Sequence, residues 1–190
     1  MDRQNHYLVL LLSVVFAFST NTYACGKERW PVKVGTDKDV SLVSTNITDT
    51  NIAKLSMIGA PSNPNIRRDT RYQPTETTQY RISGHLIVIK READEDYHLV
   101  IQDNKKRTMI VEVPSTRCAK GSRFLAQIKQ VRHDLYQRYH LRGKKKLKLN
   151  SQVTVTGIGF FDRKHGQEGV APNGIELHPV MSIKFAKSSL

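Results

Sequence analysis

Only two cysteines and one tryptophan occur in 190 residues, and acidic side chains are scarce, 17 against 30 Lys and Arg. Two cysteines are too few for a thiolate zinc cluster or a disulfide-dense miniature scaffold. The chain has no compact HxH or HExxH signature, no serine or cysteine nucleophile motif, and no glycine-rich loop opening a helix. Those absences remove the usual sequence signals for zinc-protease, acyl-enzyme and phosphate-cradle chemistry. There is no internal repeat, which argues against a solenoid or propeller. Beyond the first 18 residues no run is apolar enough to cross a bilayer.

The first segment reads as an address. Asp2, Arg3 and His6 precede the apolar run YLVLLLSVVFAF, and STNTYA then offers Ala24 at a cleavage position. The expected organisation is a secretory signal over 1–24, an N-terminal extension and long loop over 25–78, and a β-domain over 79–190. An uncleaved anchor is the alternative. A secreted or periplasmic chain meets oxidising conditions, so Cys25 and Cys118 are expected to form one disulfide. A lipid on Cys25 is the rival reading, but Thr22 stands where a lipobox usually has leucine.

The formal charge of +13 is concentrated. Residues 105–148 hold fourteen Lys or Arg against only Glu112 and Asp134, a net of +12. Such a segment attracts polyanions by steering and counterion release, whether nucleic acid, acidic polysaccharide or an anionic lipid surface. The candidates are Arg123, Lys129, Arg132 and Arg138 on a predicted helix, then Arg142, Lys144, Lys145, Lys146 and Lys148 in the loop after it. A solubilising face is the plainer reading of the same residues.

From residue 79 the apolar pattern sharpens. QYRISGHLIVIKRE has strand composition, with Gly84 as a bend or bulge position. DYHLVIQD alternates with Tyr97, Leu99 and Ile101 on one face, and RTMIVEVP does so through Met109, Val111 and Val113. The period then turns helical: Phe124, Ile128, Val131 and Leu135 share a face, with Ser122 as N-cap. SQVTVTGIGFFD and GIELHPVMSIKF return to strand, the last interrupted by Pro179, which demands an edge or a bulge. Upstream, DTNIAKLSMIGA suggests a short helix, residues 61–78 a long ordered loop, and Trp30 a plug packed on the main domain. Strand, strand, strand, helix, strand, strand is the connectivity of the OB-fold. The expectation is a mainly β protein, a small OB-like five-stranded barrel with one helix between the third and fourth strands.

CGKERWPVKVGTD, DYHLVI, MIVEVP with Cys118 close behind, GFFD and GIELHPV together resemble a family of secreted bacterial proteins with a predicted OB-like barrel. The likeness covers most of the chain after residue 24, and GFFD with ELHPV is its most distinctive part. The resemblance implies the fold and secretion. It brings no established activity and therefore no catalytic residue, and the basic run at 144–148 is not among the motifs that carry it.

The functional question sits in RKHGQEGVAPNGIELHPV, residues 163–180. His165, Glu168, Glu176 and His178, with Asp162 just before, could supply metal ligands, and Glu176 and His178 share a face on a strand. The turn chemistry of APNG makes a structural connection the expected role, with His178 its one serious functional residue. EADEDYH offers Asp94, Glu95 and Asp96 to calcium but lacks the EF-hand spacing. His98 is expected as a satisfied polar position at a barrel rim. A nuclease of the staphylococcal type would draw on Asp94, Asp96 or Asp162 with Arg91 or Arg163, though no spacing singles them out. Tyr80, Tyr97, Phe160 and Phe161 are the rings on which a polymer could stack.

The expectation is thus a non-enzymatic OB-like module for an anionic partner, without a cofactor. A metal-dependent phosphodiesterase or other hydrolase built on His98, Asp162, His165 and His178 is the alternative, and an envelope scaffold is a third. The first two separate in space. Those four side chains either converge in one cleft, favouring the hydrolase, or scatter among turns.

Overall fold

A computed structural model describes residues 25–187 except 27, 142 and 144. The expected signal segment, Arg142 and Lys144 lie outside the described residues. Six strands form one sheet: β1 (Ile47–Asp49), β2 (Gln79–Arg91), β3 (Tyr97–Gln102), β4 (Thr108–Val113), β5 (Leu147–Phe161) and β6 (Ile175–Phe185). The α-helices are α1 (Trp30–Val34), α2 (Ile52–Ser56) and α3 (Leu125–Tyr139). The strand order is β1-β2-β3-β4-β6-β5, and β2 also pairs with β5. Hydrogen bonding among β2, β3, β4, β6 and β5 therefore closes into a ring. Its ladders are antiparallel except between β4 and β6, which run parallel at Val111 and Leu177.

The chain is mainly β with one long helix, and the five expected strands gain a sixth. Strand β1 lies parallel to the start of β2, with Ile47 opposite Gln79. At three exposed residues it is too short to show alternation, which is why the sequence pattern missed it. The bulge expected at Gly84 falls between Leu86 and Val88 instead. Gly84 serves a different need, since a Cβ there would stand 2.7 Å from the carbonyl oxygen of Gln102.

Inward-facing Ile82, Leu86, Leu99, Ile101, Met109, Val111, Val155 and Leu177 pack into one core. Strand β3 is buried on both faces because the 162–174 loop folds over it. There Gly169 closes on the Val100 side chain, and the Glu168 carbonyl meets His98. Helix α3 packs against β6 and buries Ile128, Val131 and Leu135, the expected stripe. It starts at Leu125, later than a Ser122 cap requires. The Ser122 hydroxyl accepts from the Phe124 amide at 3.0 Å and donates to the Val34 carbonyl, so it ties the helix entry to the N-terminal segment.

Two buried arginines fasten residues 25–78 onto the ring. Arg29 places both terminal nitrogens 2.6 Å from the Glu76 carboxylate, which itself accepts from the Phe161 amide at 2.9 Å. Arg71, fully buried, donates to Asp37 at 3.0 and 2.6 Å and to the carbonyls of Glu76 and Val32. Planar guanidinium forks suit such paired carboxylate and carbonyl acceptors. The expected disulfide joins Cys25 to Cys118 across 93 residues, and the Trp30 indole donates to the Cys118 carbonyl at 3.3 Å. Among the described residues no helix is long and apolar enough to cross a membrane.

Candidate active site

Register builds the site. His98 on β3 lies opposite Glu112 on β4, so both side chains leave the same face. The parallel contact of Val111 with Leu177 then brings β6 alongside, and His178 follows Leu177. The result is one carboxylate between two imidazoles. His98 Nδ1 is 3.0 Å from Glu112 Oε1, and His178 Nδ1 is 3.3 Å from Glu112 Oε2. His178 Nδ1 also lies 3.1 Å from Glu176, and its ring meets the Phe160 ring edge-on at 5.7 Å. His98 Nε2 faces the Glu168 carbonyl at 3.0 Å. A carbonyl can only accept, so that nitrogen carries a proton.

Asp96, just before β3, accepts from the Ser115 amide through Oδ1 at 2.7 Å. Its Oδ2 points at His178 Nε2 across 3.8 Å, too far for a hydrogen bond. Among the described residues neither of these two buried atoms has a hydrogen-bond partner. Lys33 comes from α1, with Nζ 3.6 Å from Asp162 and 5.3 Å from the Phe160 ring centre. The disulfide and Arg29 hold that N-terminal segment, and hence Lys33, against the ring.

These groups perturb one another. Burial pushes the Asp96 carboxyl up to about 7 against the pull of His178. Burial, with the charges of Glu112 and Asp162, does the same for Glu176, also to about 7. For His178 burial works downward, but its bonds to Glu112 and Glu176 win and raise it to about 9. Burial would raise Glu112, yet hydrogen bonds from His178 and His98 hold it well below the ordinary carboxylate range. Burial likewise opposes the charged forms of His98 and Lys33. Glu112 and the Glu168 carbonyl outweigh it for His98, and the surrounding carboxylates, Glu176 first, outweigh it for Lys33; both end above their ordinary values.

An open cleft of about 410 Å³ stands over this cluster, lined in part by Lys33, Glu92, His98, Glu112, Asp162 and Glu176. A larger groove, about 540 Å³, runs outside beside Ile47, Arg81 and Lys184. It gathers no acid–base cluster, so the smaller cleft is the candidate site.

Of the four residues expected for a hydrolase, His98 and His178 converge on Glu112. Asp162 shares their cleft through Lys33. His165 is exposed on the rim, its amide 2.8 Å from Gln167, and bonds to none of the others. His98 is 1 % exposed, a floor residue rather than a rim position. His178 lies within β6, not in the 162–174 connection. Asp96 was in view only as a calcium or nuclease carboxylate. Glu112 and Lys33 were missed; the clue for Glu112 was a lone acid in the apolar strand MIVEV, directly across from HLV.

The basic residues divide by what they already hold. Arg132 stacks 3.8 Å over Tyr97 and donates to the carbonyls of Glu95, Val113 and Pro114, so it is committed to the fold. Arg123 donates to the Val40 carbonyl at 3.2 Å, and Lys146 pairs with Glu168 at 2.7 Å. Arg138 lies over the Phe185 ring with its charge exposed, while Lys129, Lys145 and Lys148 face solvent.

No family model matches the chain, and no curated protein matches it. Similar solved structures include two OBodies, each bound to hen egg-white lysozyme. The first is 10% identical with a TM-score of 0.43, the match covering 77% of this chain and 100% of the OBody. The second is 10% identical with a TM-score of 0.35, covering 58% and 82%. Similarity this low carries no argument about fold or function.

Proposed function

We propose that this chain is a secreted hydrolase on an OB-like barrel, acting on the phosphodiesters of an anionic polymer. The OB-like reading rests on the closed ring, the parallel β4–β6 contact, and a helix between the third and fourth ring strands. Secretion is supported by the disulfide, which persists in oxidising compartments.

One observation carries the hydrolase reading: Glu112 is held between two histidines from different strands at the floor of an open cleft. Burying that many charged groups costs folding energy, and such clusters concentrate at sites of chemistry. Substrate charge would be met by Lys33 within the cleft and by Lys90 and Lys146 at its edge. Lys90 lies 2.7 Å from Glu92, and Lys146 pairs with Glu168, whose carbonyl binds His98. Water adds to phosphorus as the ester P–O bond breaks. Glu176, lining the cleft, takes the water's proton and returns it to the leaving oxygen, while Lys33 and His98 face the developing charge.

The binding module is the second reading, favoured by exposed Lys129, Arg138, Lys145 and Lys148. One experiment separates the two. A labelled single-stranded oligonucleotide is followed by anisotropy at low and physiological salt, and the same samples are run on a gel. Shortening by the wild-type chain, lost in Glu176→Gln, supports the hydrolase. Binding that survives physiological salt without shortening replaces it with the module, and neither effect leaves the scaffold.

A further inference from the structure

The geometry points to a zinc-class divalent metal site beneath the cleft floor, with His178 Nε2, Asp96 Oδ2 and Glu112 as ligands. Each of the three residues offers a ligand atom within 4.8 Å of the other two. A carboxylate cluster alone would not make a site. Here two atoms aimed at each other, His178 Nε2 and Asp96 Oδ2, are buried and without a hydrogen-bond partner among the described residues. Their residues are 0 % and 1 % exposed. Buried polar atoms of this kind normally find partners, so a pair left facing across 3.8 Å calls for an occupant. An ion at about 2.0–2.2 Å from each ligand spans that gap without moving either residue.

The surroundings already resemble an outer shell. A metal-bound imidazole usually donates its other ring N–H to a carboxylate, which fixes the tautomer and the ring plane. His178 Nδ1 does this to Glu176 at 3.1 Å, and Asp96 Oδ1 is oriented by the Ser115 amide. The surroundings are rich in oxygen donors as well: four carboxylates, Asp96, Glu112, Asp162 and Glu176, gather around Lys33 and the two imidazoles. One imidazole with two carboxylates suits zinc better than calcium or magnesium, which favour all-oxygen sets.

This inference concerns the site proposed above for hydrolysis but is read without turnover. The oxidised chain is stripped with a chelator, dialysed, and titrated with Zn²⁺ by calorimetry, and with Co²⁺ for its visible absorption. One Zn²⁺ per chain is expected. Asp96→Asn and His178→Gln should each weaken binding by more than about a hundredfold, beyond the 10- to 100-fold expected of the supporting carboxylate change Glu176→Gln. Asp49→Asn, exposed on β1 and paired with Arg81 away from the cleft, should change nothing. Because His178→Gln could fail to fold, the wild-type chain is also followed by nitrogen NMR, where the His178 Nε2 resonance must shift on adding Zn²⁺. No stoichiometric binding, or full binding by both ligand variants, overturns the inference. Zinc bound with no oligonucleotide cut removes only the hydrolase, while cleavage with no zinc bound removes only the metal site.

Discussion

Glu112 and His98 face each other in register across β3 and β4, 3.0 Å apart, and the same carboxylate reaches His178 at 3.3 Å with its second oxygen. One acid thus satisfies two imidazoles drawn from two strands. Replacing it by glutamine keeps the volume but removes the charge that both rings answer to. Losing one partner of a buried ionic group costs about 3–5 kcal/mol, because the other is left uncompensated. The Glu112→Gln urea midpoint should fall accordingly. His165→Gln, exposed on the cleft rim, should stay within about 0.5 kcal/mol of wild type. Equal midpoints for the two variants would show that the cluster adds nothing to stability.

The Arg71–Asp37 pair should behave differently from Arg81–Asp49. In the first, both side chains are 0 % exposed and 2.6 Å apart; in the second, they are 40 % and 73 % exposed at 3.1 Å. Asp37→Ala strands a buried guanidinium, at a cost of about 3–5 kcal/mol. Asp49→Ala removes a solvated pair, worth about 0.2–1 kcal/mol. Denaturant unfolding of both variants checks the ratio. A small effect at Asp37 would mean that the Glu76 and Val32 carbonyls alone satisfy Arg71.

What the chain disclosed beforehand followed periodicity. The strands from Gln79 onward alternate long enough to be read, and Ile128, Val131 and Leu135 recur at helical spacing. Strand β1 has no such length. The cleft was half legible: His98, Asp162 and His178 stood out as chemistry-bearing types, but their meeting depends on register, which no local pattern encodes. Glu112 was hidden by its apolar neighbours. Arg29 and Arg71 were hidden by their charge, since arginine is rarely fully buried and neither belongs to an apolar period.

Polyanion affinity should reside in lysines, not in Arg132. Lys145, Lys146 and Lys148 are exposed, whereas Arg132 is pinned over Tyr97 and by three carbonyls. Replacing the three lysines by alanine should lower the slope of log K against log salt by about 2 for single-stranded nucleic acid, if each meets a phosphate. Arg132→Ala should leave the slope alone and cost about 1–3 kcal/mol in stability through its lost hydrogen bonds. Anisotropy across a salt series, beside thermal melts, separates the two effects. An unchanged slope in the triple variant would place any polymer elsewhere on the surface.

Acid sensitivity should trace in part to Glu95. Its carboxylate takes Arg117 and Arg91 and lies 3.4 Å from the Ser115 hydroxyl. The Arg117 hydrogen bond, with the charge of Arg91, outweighs burial and holds this carboxyl below its ordinary 4.5. A folded pKa below the unfolded one means the contribution is fully present above 4.5 and drains away as pH falls through the lower folded value. Urea midpoints measured downward from neutral pH should therefore decline below 4.5 in the wild type and decline less steeply in Glu95→Gln. The variant should also start lower at neutral pH, because it has already lost what acid removes. Asp103, held low by its hydrogen bonds from Arg107 and Lys105 against burial, contributes a separate share. Parallel curves for wild type and Glu95→Gln would assign the acid limb to Asp103 and its kind, and remove Glu95 from the account.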